Sequence, residues 1–260
     1  METKLTVTAV QSNLLWEDKK GNFDQLEQQL LSIDSSTDLI VLPEMFTTGF
    51  TMNPKPFAEP MDGQTIEWMK RQAQNKKAAI LGSSIIEEDN AYFNRLLFVT
   101  EEAEVFYYDK RHTFTLAGEN LMYNTGQNDG IVHFKGWKIC LRICYDLRFP
   151  VWSRNTSDYD LLIYTANWPD KRINAWDTLL QARAIENMSY CIGVNRVGKD
   201  GSNLVYPGHT TIVDYMGICQ GVTKENQPDT TTVSLDKEAM HLARKKLNFL
   251  NDRDLFSLQL

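Results

Sequence analysis

Apolar and polar residues alternate through 4–11, and apolar runs recur at 38–42, 78–86, 92–100, 105–109, 137–143, 161–166, 190–195, 210–213 and 230–235. Runs of this length, rich in Val, Ile, Leu and aromatic residues, predict β-strands. Between several of them the spacing changes to that of a helix face. Phe23, Leu26, Leu30 and Leu31 lie at helical intervals within 22–32, similar patterns cover 64–76 and 173–187, and 237–245 reads as a short late helix. Strand–helix–strand units mixed with adjacent strand pairs predict an α/β fold in which helices cover the sheets, not one uniform doubly wound sheet. Three prolines within 53–60 mark a rigid loop. No repeat, low-complexity tract or linker divides the chain, so residues 1–260 read as a single domain.

Composition narrows what such a fold would serve. With 42% hydrophobic and 23% charged residues the chain is ordinary globular material, and a formal net charge of −7 offers no basic stripe for a nucleic-acid partner. No apolar stretch reaches the length that spans a bilayer, and the first residues alternate like a strand instead of forming a signal peptide. The expectation is a soluble, cytoplasmic protein that acts on a small molecule, with no membrane partner. Cys140, Cys144, Cys191 and Cys219 form no C-x-x-C pair, and His112, His133, His209 and His241 are dispersed. Neither a metal site nor a disulfide framework is indicated, and no cofactor is expected.

Three apolar runs end in a residue with little structural reason to be there. The run 38–42 leads through Pro43 into Glu44, 105–109 leads into Lys110, and 137–143 leads into Cys144. Reactive groups gather at the carboxyl ends of strands, where a rigid sheet positions them. A thiol, a carboxylate and an ammonium brought together there form an acyl-transfer set: the carboxylate takes the thiol proton, the thiolate attacks a carbonyl carbon, and the ammonium stabilises the oxyanion. Each has a plainer reading alone. Most free cysteines are small core hydrophobes, Glu44 would also suit a helix N-terminus, and Lys110 sits among solvated charges. There is no G-x-S-x-G elbow, and a histidine base would have to arrive from afar, as His112 or His209.

The segments Leu42-Pro43-Glu44-Met45-Phe46, Tyr108-Asp109-Lys110-Arg111-His112 and Ile143-Cys144-Tyr145-Asp146-Leu147-Arg148-Phe149-Pro150 together resemble those of the nitrilase superfamily of carbon–nitrogen hydrolases. The resemblance spans nearly the whole chain. It implies a four-layer αββα sandwich, with Glu44 as base, Lys110 as oxyanion stabiliser and Cys144 as nucleophile, in a cofactor-free and metal-free enzyme. Gly118-Glu119 resembles the superfamily's second glutamate, and Trp168, in Ala166-Asn167-Trp168-Pro169, matches a residue bordering the pocket. Arg148, Arg183 and Glu186 read as structural. The strings 149–155 and 164–169 are similar to those of ω-amidases, which implies hydrolysis of the terminal amide of α-ketoglutaramate or α-ketosuccinamate through a thioester. Tyr145 would then offer its backbone N–H to the oxyanion, and Arg172 is the candidate for the distal carboxylate. The alternatives are an N-carbamoyl amine hydrolase, a nitrilase or a deaminated-glutathione amidase, and beyond these a non-catalytic metabolite binder. The resemblance also implies a homodimer, with the tail from about 246 to 260 docking either on a partner subunit or on its own.

Overall fold

The computed structural model describes residues 3–258. In chain order its strands are β1 (Lys4–Gln11), β2 (Leu39–Val41), β3 (Ala79–Glu88), β4 (Ala91–Val99), β5 (Val105–Asp109), β6 (Ile131–Phe134), β7 (Trp137–Ile143), β8 (Leu161–Ala166), β9 (Tyr190–Asn195), β10 (Val197–Lys199), β11 (Val205–Pro207), β12 (Thr211–Val213), β13 (Cys219–Val222) and β14 (Asp229–Asp236). The helices are α1 (Lys19–Leu31), α2 (Gln64–Lys76), α3 (Glu119–Met122), α4 (Ile173–Asn187) and α5 (Lys237–Leu247). One six-stranded sheet runs β14-β1-β2-β3-β4-β5, a second runs β13-β12-β9-β8-β7-β6, and β10 and β11 form a separate hairpin.

Each sheet has a parallel centre, β1-β2-β3 in one and β7-β8-β9 in the other, and antiparallel flanks. Parallel strands are buried on both faces and read as continuous apolar runs. Accordingly every residue of β2, β8 and β9 is buried. Alternate side chains of the two sheets meet in one core, Val7, Val41, Leu81 and Phe98 from the first against Ile139, Leu141, Ile163 and Ile192 from the second. The opposite face of the first sheet packs on α1 and α2 through Leu26, Leu30, Trp68 and Met69. The opposite face of the second packs on α4 through Trp176, Leu180 and Ala184. The four layers are therefore helix, sheet, sheet, helix, as the resemblance implied.

Helices α2 and α4 have the boundaries that the spacing predicts, whereas α1 starts at Lys19 rather than 22 because the Asp18 side chain caps it, accepting the Gly21 N–H at 2.9 Å. Strands β6, β10, β11 and β13 were not anticipated. They are three or four residues long, and β13 lies on an exposed sheet edge, so no apolar period marks it. The described part of the tail folds back on its own chain, where Arg253 donates to the Asn155 carbonyl at 3.0 Å and pairs with Asp158. The tail expectation's last two positions, and the first two of the chain, lie outside the described residues. No described helix is long and apolar enough to cross a membrane.

Candidate active site

The seam between the sheets is where the chemistry collects. Glu44 follows β2 and Lys110 follows β5, both in the first sheet, while Cys144 follows β7 and Asn167 follows β8 in the second. The Lys110 ammonium donates to Glu44 Oε1 at 2.8 Å and to both oxygens of Glu119 at 3.0 Å. All three side chains are fully buried. An ammonium has three donors; with one N–H shared between the two Glu119 oxygens and one on Glu44, the third is left for a bound oxygen. Phe50 closes the site beneath, its ring centroid 4.9 Å from Nζ.

The second sheet reaches Glu44 from the opposite side. The backbone N–H of Asn167 donates to Glu44 Oε2 at 2.8 Å, and its side-chain amide donates to the Glu44 carbonyl at 2.7 Å. Glu119 opens α3 directly after Gly118, whose φ of +76° suits glycine, and accepts the Phe114 N–H at 2.5 Å.

Cys144 begins a 3-10 turn, Cys144–Arg148, with φ at +42°, a left-handed conformation that costs a non-glycine residue about 1–3 kcal/mol. Asp146 holds that elbow. Its buried carboxylate accepts the Ile143 N–H at 3.0 Å and the Tyr108 hydroxyl at 2.8 Å, and on its other oxygen the His112 N–H at 3.0 Å. The segment carrying Lys110 is thereby fastened to the segment carrying Cys144. The sulfur lies 4.0 Å from the Asn167 carbonyl.

Electrostatics set the resting state. Burial pushes the Cys144 thiol well above its ordinary range and Glu44 pushes it further, with Lys110 opposing. The nucleophile therefore rests as a thiol and needs a base at the moment of attack. Burial disfavours the Lys110 ammonium, but Glu119 and Glu44 outweigh it and hold the charge firmly in place. Burial raises Glu119, with Lys110 opposing and the Glu44 charge adding to the rise.

A cavity of about 370 Å³ opens over the sulfur, and its walls include Phe50, Phe114, Tyr145, Arg148, Trp168 and Arg172. Trp168 is fixed by its N–H to Asn195 and by its indole N–H to the Arg172 carbonyl, both at 2.8 Å. The Arg148 guanidinium lies 5.2 Å from the Trp168 ring centroid, and that of Arg172 lies 5.2 Å from that of Phe114. Neither forms an ion pair among the described residues. Asp200 also borders the cavity, but its carboxylate is occupied by the Ser202 and Leu204 N–H groups and the Tyr206 hydroxyl.

All seven residues singled out from the sequence, Glu44, Lys110, Cys144, Glu119, Tyr145, Trp168 and Arg172, are thus at one site. Arg148 departs from its structural reading, because the elbow turns its side chain into the cavity wall. Arg183 and Glu186 do pair with each other, at 2.9 Å, and Arg183 also donates to the Leu147 carbonyl. The possible histidine bases are elsewhere: His112 stacks on Phe149 at 3.7 Å with its Nδ1 on Asp146, and His209 faces Asp177 and Glu225. Asn94 was missed. Its signal was the polar pair Asn94-Arg95 interrupting the apolar run of β4. No group of three or more metal-ligating side chains occurs among the described residues.

A family model described as carbon–nitrogen hydrolase matches residues 6–245. The chain is 41% identical to the omega-amidase YafV of Yersinia enterocolitica over 98% of both proteins. It is 30% identical to the 2-oxoglutaramate amidase of Bacillus subtilis over 82% of this chain and 84% of that one. Among solved structures, a carbon–nitrogen hydrolase superfamily protein from Xanthomonas campestris, crystallised with an arsenic adduct in its active site, matches at a TM-score of 0.96 and 39% identity over 100% of both chains.

Proposed function

The chain belongs to the carbon–nitrogen hydrolase family, and on that premise we propose that this amidohydrolase is an ω-amidase, removing the terminal amide of a small keto dicarboxylic acid such as α-ketoglutaramate or α-ketosuccinamate. The observation that carries the substrate class is the pair of arginines, Arg148 and Arg172, in the cavity over Cys144, braced on aromatic rings and without carboxylate partners among the described residues. A substrate with a carboxylate remote from its scissile amide would complete them.

In this reading Glu44 takes the thiol proton as the sulfur attacks the amide carbon. The oxyanion receives the remaining Lys110 N–H and the backbone N–H of Tyr145, which lies in the first turn of the 3-10 helix. Glu44 passes the proton to the amide nitrogen, the C–N bond breaks, and ammonia leaves a thioester on Cys144. Water gives a proton to Glu44 and attacks the thioester carbon; the departing sulfur recovers that proton, and the acid is released. Trp168 and Phe50 wall the site, and the chain needs no cofactor for these steps. We read residues 1–260 as one domain, working in the cytoplasm as a homodimer.

The test is ammonia release from α-ketoglutaramate and α-ketosuccinamate beside glutamine, asparagine, a nitrile, an N-carbamoyl amine and a neutral amide of similar length. The keto-acid amides should be preferred. Replacing Arg148 or Arg172 with alanine should raise KM for them by roughly ten- to hundredfold, the loss of a charge-assisted pair, and leave the neutral amide little changed. Equal losses on both substrates, or a preference for the N-carbamoyl amine, would overturn the substrate assignment.

A further inference from the structure

Two buried carboxylates share one ammonium at this site, which leaves a formal charge of −1 in a place without water access on the sheet side. Like charges so disposed favour uptake of a proton by one of them, and a protonated Glu44 would be useless as a base. Something besides Lys110 has to make the ionised arrangement tolerable. A second cation would do so only by competing for the carboxylate oxygens that must handle the thiol proton. A neutral donor has no such drawback.

Asn94 is that donor. It lies in β4, buried, and its amide nitrogen donates to Glu44 Oε1 at 2.8 Å and to Glu119 Oε1 at 3.3 Å. Its backbone carbonyl accepts the main-chain N–H of Lys110 at 3.0 Å, so the same residue touches both carboxylates and the backbone that carries the ammonium. Its own amide oxygen is buried with no hydrogen-bond partner among the described residues. Burying an acceptor unmet is costly, and a residue chosen for packing alone would avoid it. The titratable groups facing the amide are Glu44 after β2, Lys110 after β5 and Glu119 on α3, with Tyr123 and Cys144 beyond them. We propose that Asn94 is a positioning residue for the hydrolysis, its one amide nitrogen holding Glu44 and Glu119 on either side of the Lys110 ammonium with Glu44 free to accept the thiol proton. The role rests on Glu44 being the base, as read above.

The test compares the pH profile of kcat/KM for wild-type protein, Asn94→Ala, Asn94→Asp and Glu44→Gln, with α-ketoglutaramate as substrate and thermal unfolding as the check on folding. Losing a hydrogen bond to a charged group should lower kcat of Asn94→Ala about ten- to hundredfold, with KM nearly unchanged. The amide donates to both carboxylates, and taking a donor from a carboxylate pair favours proton uptake by the pair, so its loss should move the acid limb upward in pH. Asn94→Asp keeps the shape. When ionised it adds a third negative charge; when protonated it regains a donor. Its activity relative to wild type should therefore rise as pH falls, and this variant carries the test if Asn94→Ala does not fold. An unmoved acid limb in Asn94→Ala together with a constant activity ratio in Asn94→Asp would leave Asn94 a merely structural residue. So would wild-type kcat in Asn94→Ala. An active Glu44→Gln would overturn the base assignment itself, a failure distinct from that of Asn94.

Discussion

Opposite effects of Lys110 and Glu44 on one thiol can be read without any substrate. The Cys144 thiol is raised by burial and by Glu44, and lowered by Lys110. Lys110→Met should accordingly move the pH midpoint for iodoacetamide alkylation of Cys144 upward, and Glu44→Gln should move it downward. Both variants should be poor catalysts, with kcat of Lys110→Met reduced by roughly two to three orders of magnitude, the scale of a lost oxyanion donor. Alkylation midpoints that shift in the same direction would place the two charges elsewhere than against the sulfur. These residues were legible in the sequence because each ends an apolar run, and a charge or thiol there has nothing structural to do. Arg148 was not. Inside a turn, the direction of a side chain depends on the φ of its neighbours, and the left-handed Cys144 that aims the elbow leaves no mark in composition.

A similar division separates elements fixed by their own pattern from those fixed by what they dock on. Strands β7, β8 and β9 are buried runs that announce themselves, whereas the β10–β11 hairpin holds Gly198 and Pro207, residues that argue against strands until the pairing is seen. Helix α5 belongs to the second kind. It contributes one fully buried side chain, Met240, and is moored besides through Arg244, which donates to the Met188 and Tyr159 carbonyls, and through Asp160 just before β8. That carboxylate accepts the Lys138 N–H at 3.0 Å and pairs with Lys237 and His241, each at 2.7 Å. Burial would raise its pKa, yet these partners hold it below the ordinary 3.8. A carboxylate depressed in the folded state stabilises the protein above its unfolded pKa and ceases to do so as pH falls through the folded one. Asp160→Asn should therefore cost about 1 kcal/mol at pH 7, allowing for solvent around Lys237 and His241. Urea unfolding of both proteins should show that gap shrinking below about pH 4, the unfolded carboxylate range. A gap that does not shrink at all as pH falls through that range would mean that shape, not charge, moors the helix.

At the scale of the molecule, the catalytic set is divided between two sheets and depends on how they are spaced. Glu44 and Lys110 follow strands of one sheet, Cys144 and Asn167 strands of the other, and the side chains that separate the sheets are those of the shared core. The helix layers stabilise each sheet without defining that distance. Two cavity-forming substitutions of equal chemistry distinguish these contributions. Leu141 is fully buried between the sheets, and Leu26 is fully buried between α1 and the first sheet. Truncating either to alanine should destabilise the fold by about 2–5 kcal/mol, the range for a buried leucine. Activity should diverge. Partial collapse around Leu141→Ala brings β7 and its elbow toward the first sheet, and a displacement near 1 Å between reacting groups lowers rate by up to about a hundredfold. Leu26→Ala should stay within roughly threefold of wild-type kcat, because its cavity lies behind the first sheet and leaves the spacing alone. Urea titrations establish the matched stability losses, and kcat is then measured well below either unfolding transition. Equal kcat losses in the two variants would show that the seam responds to overall stability and not to the distance between its halves.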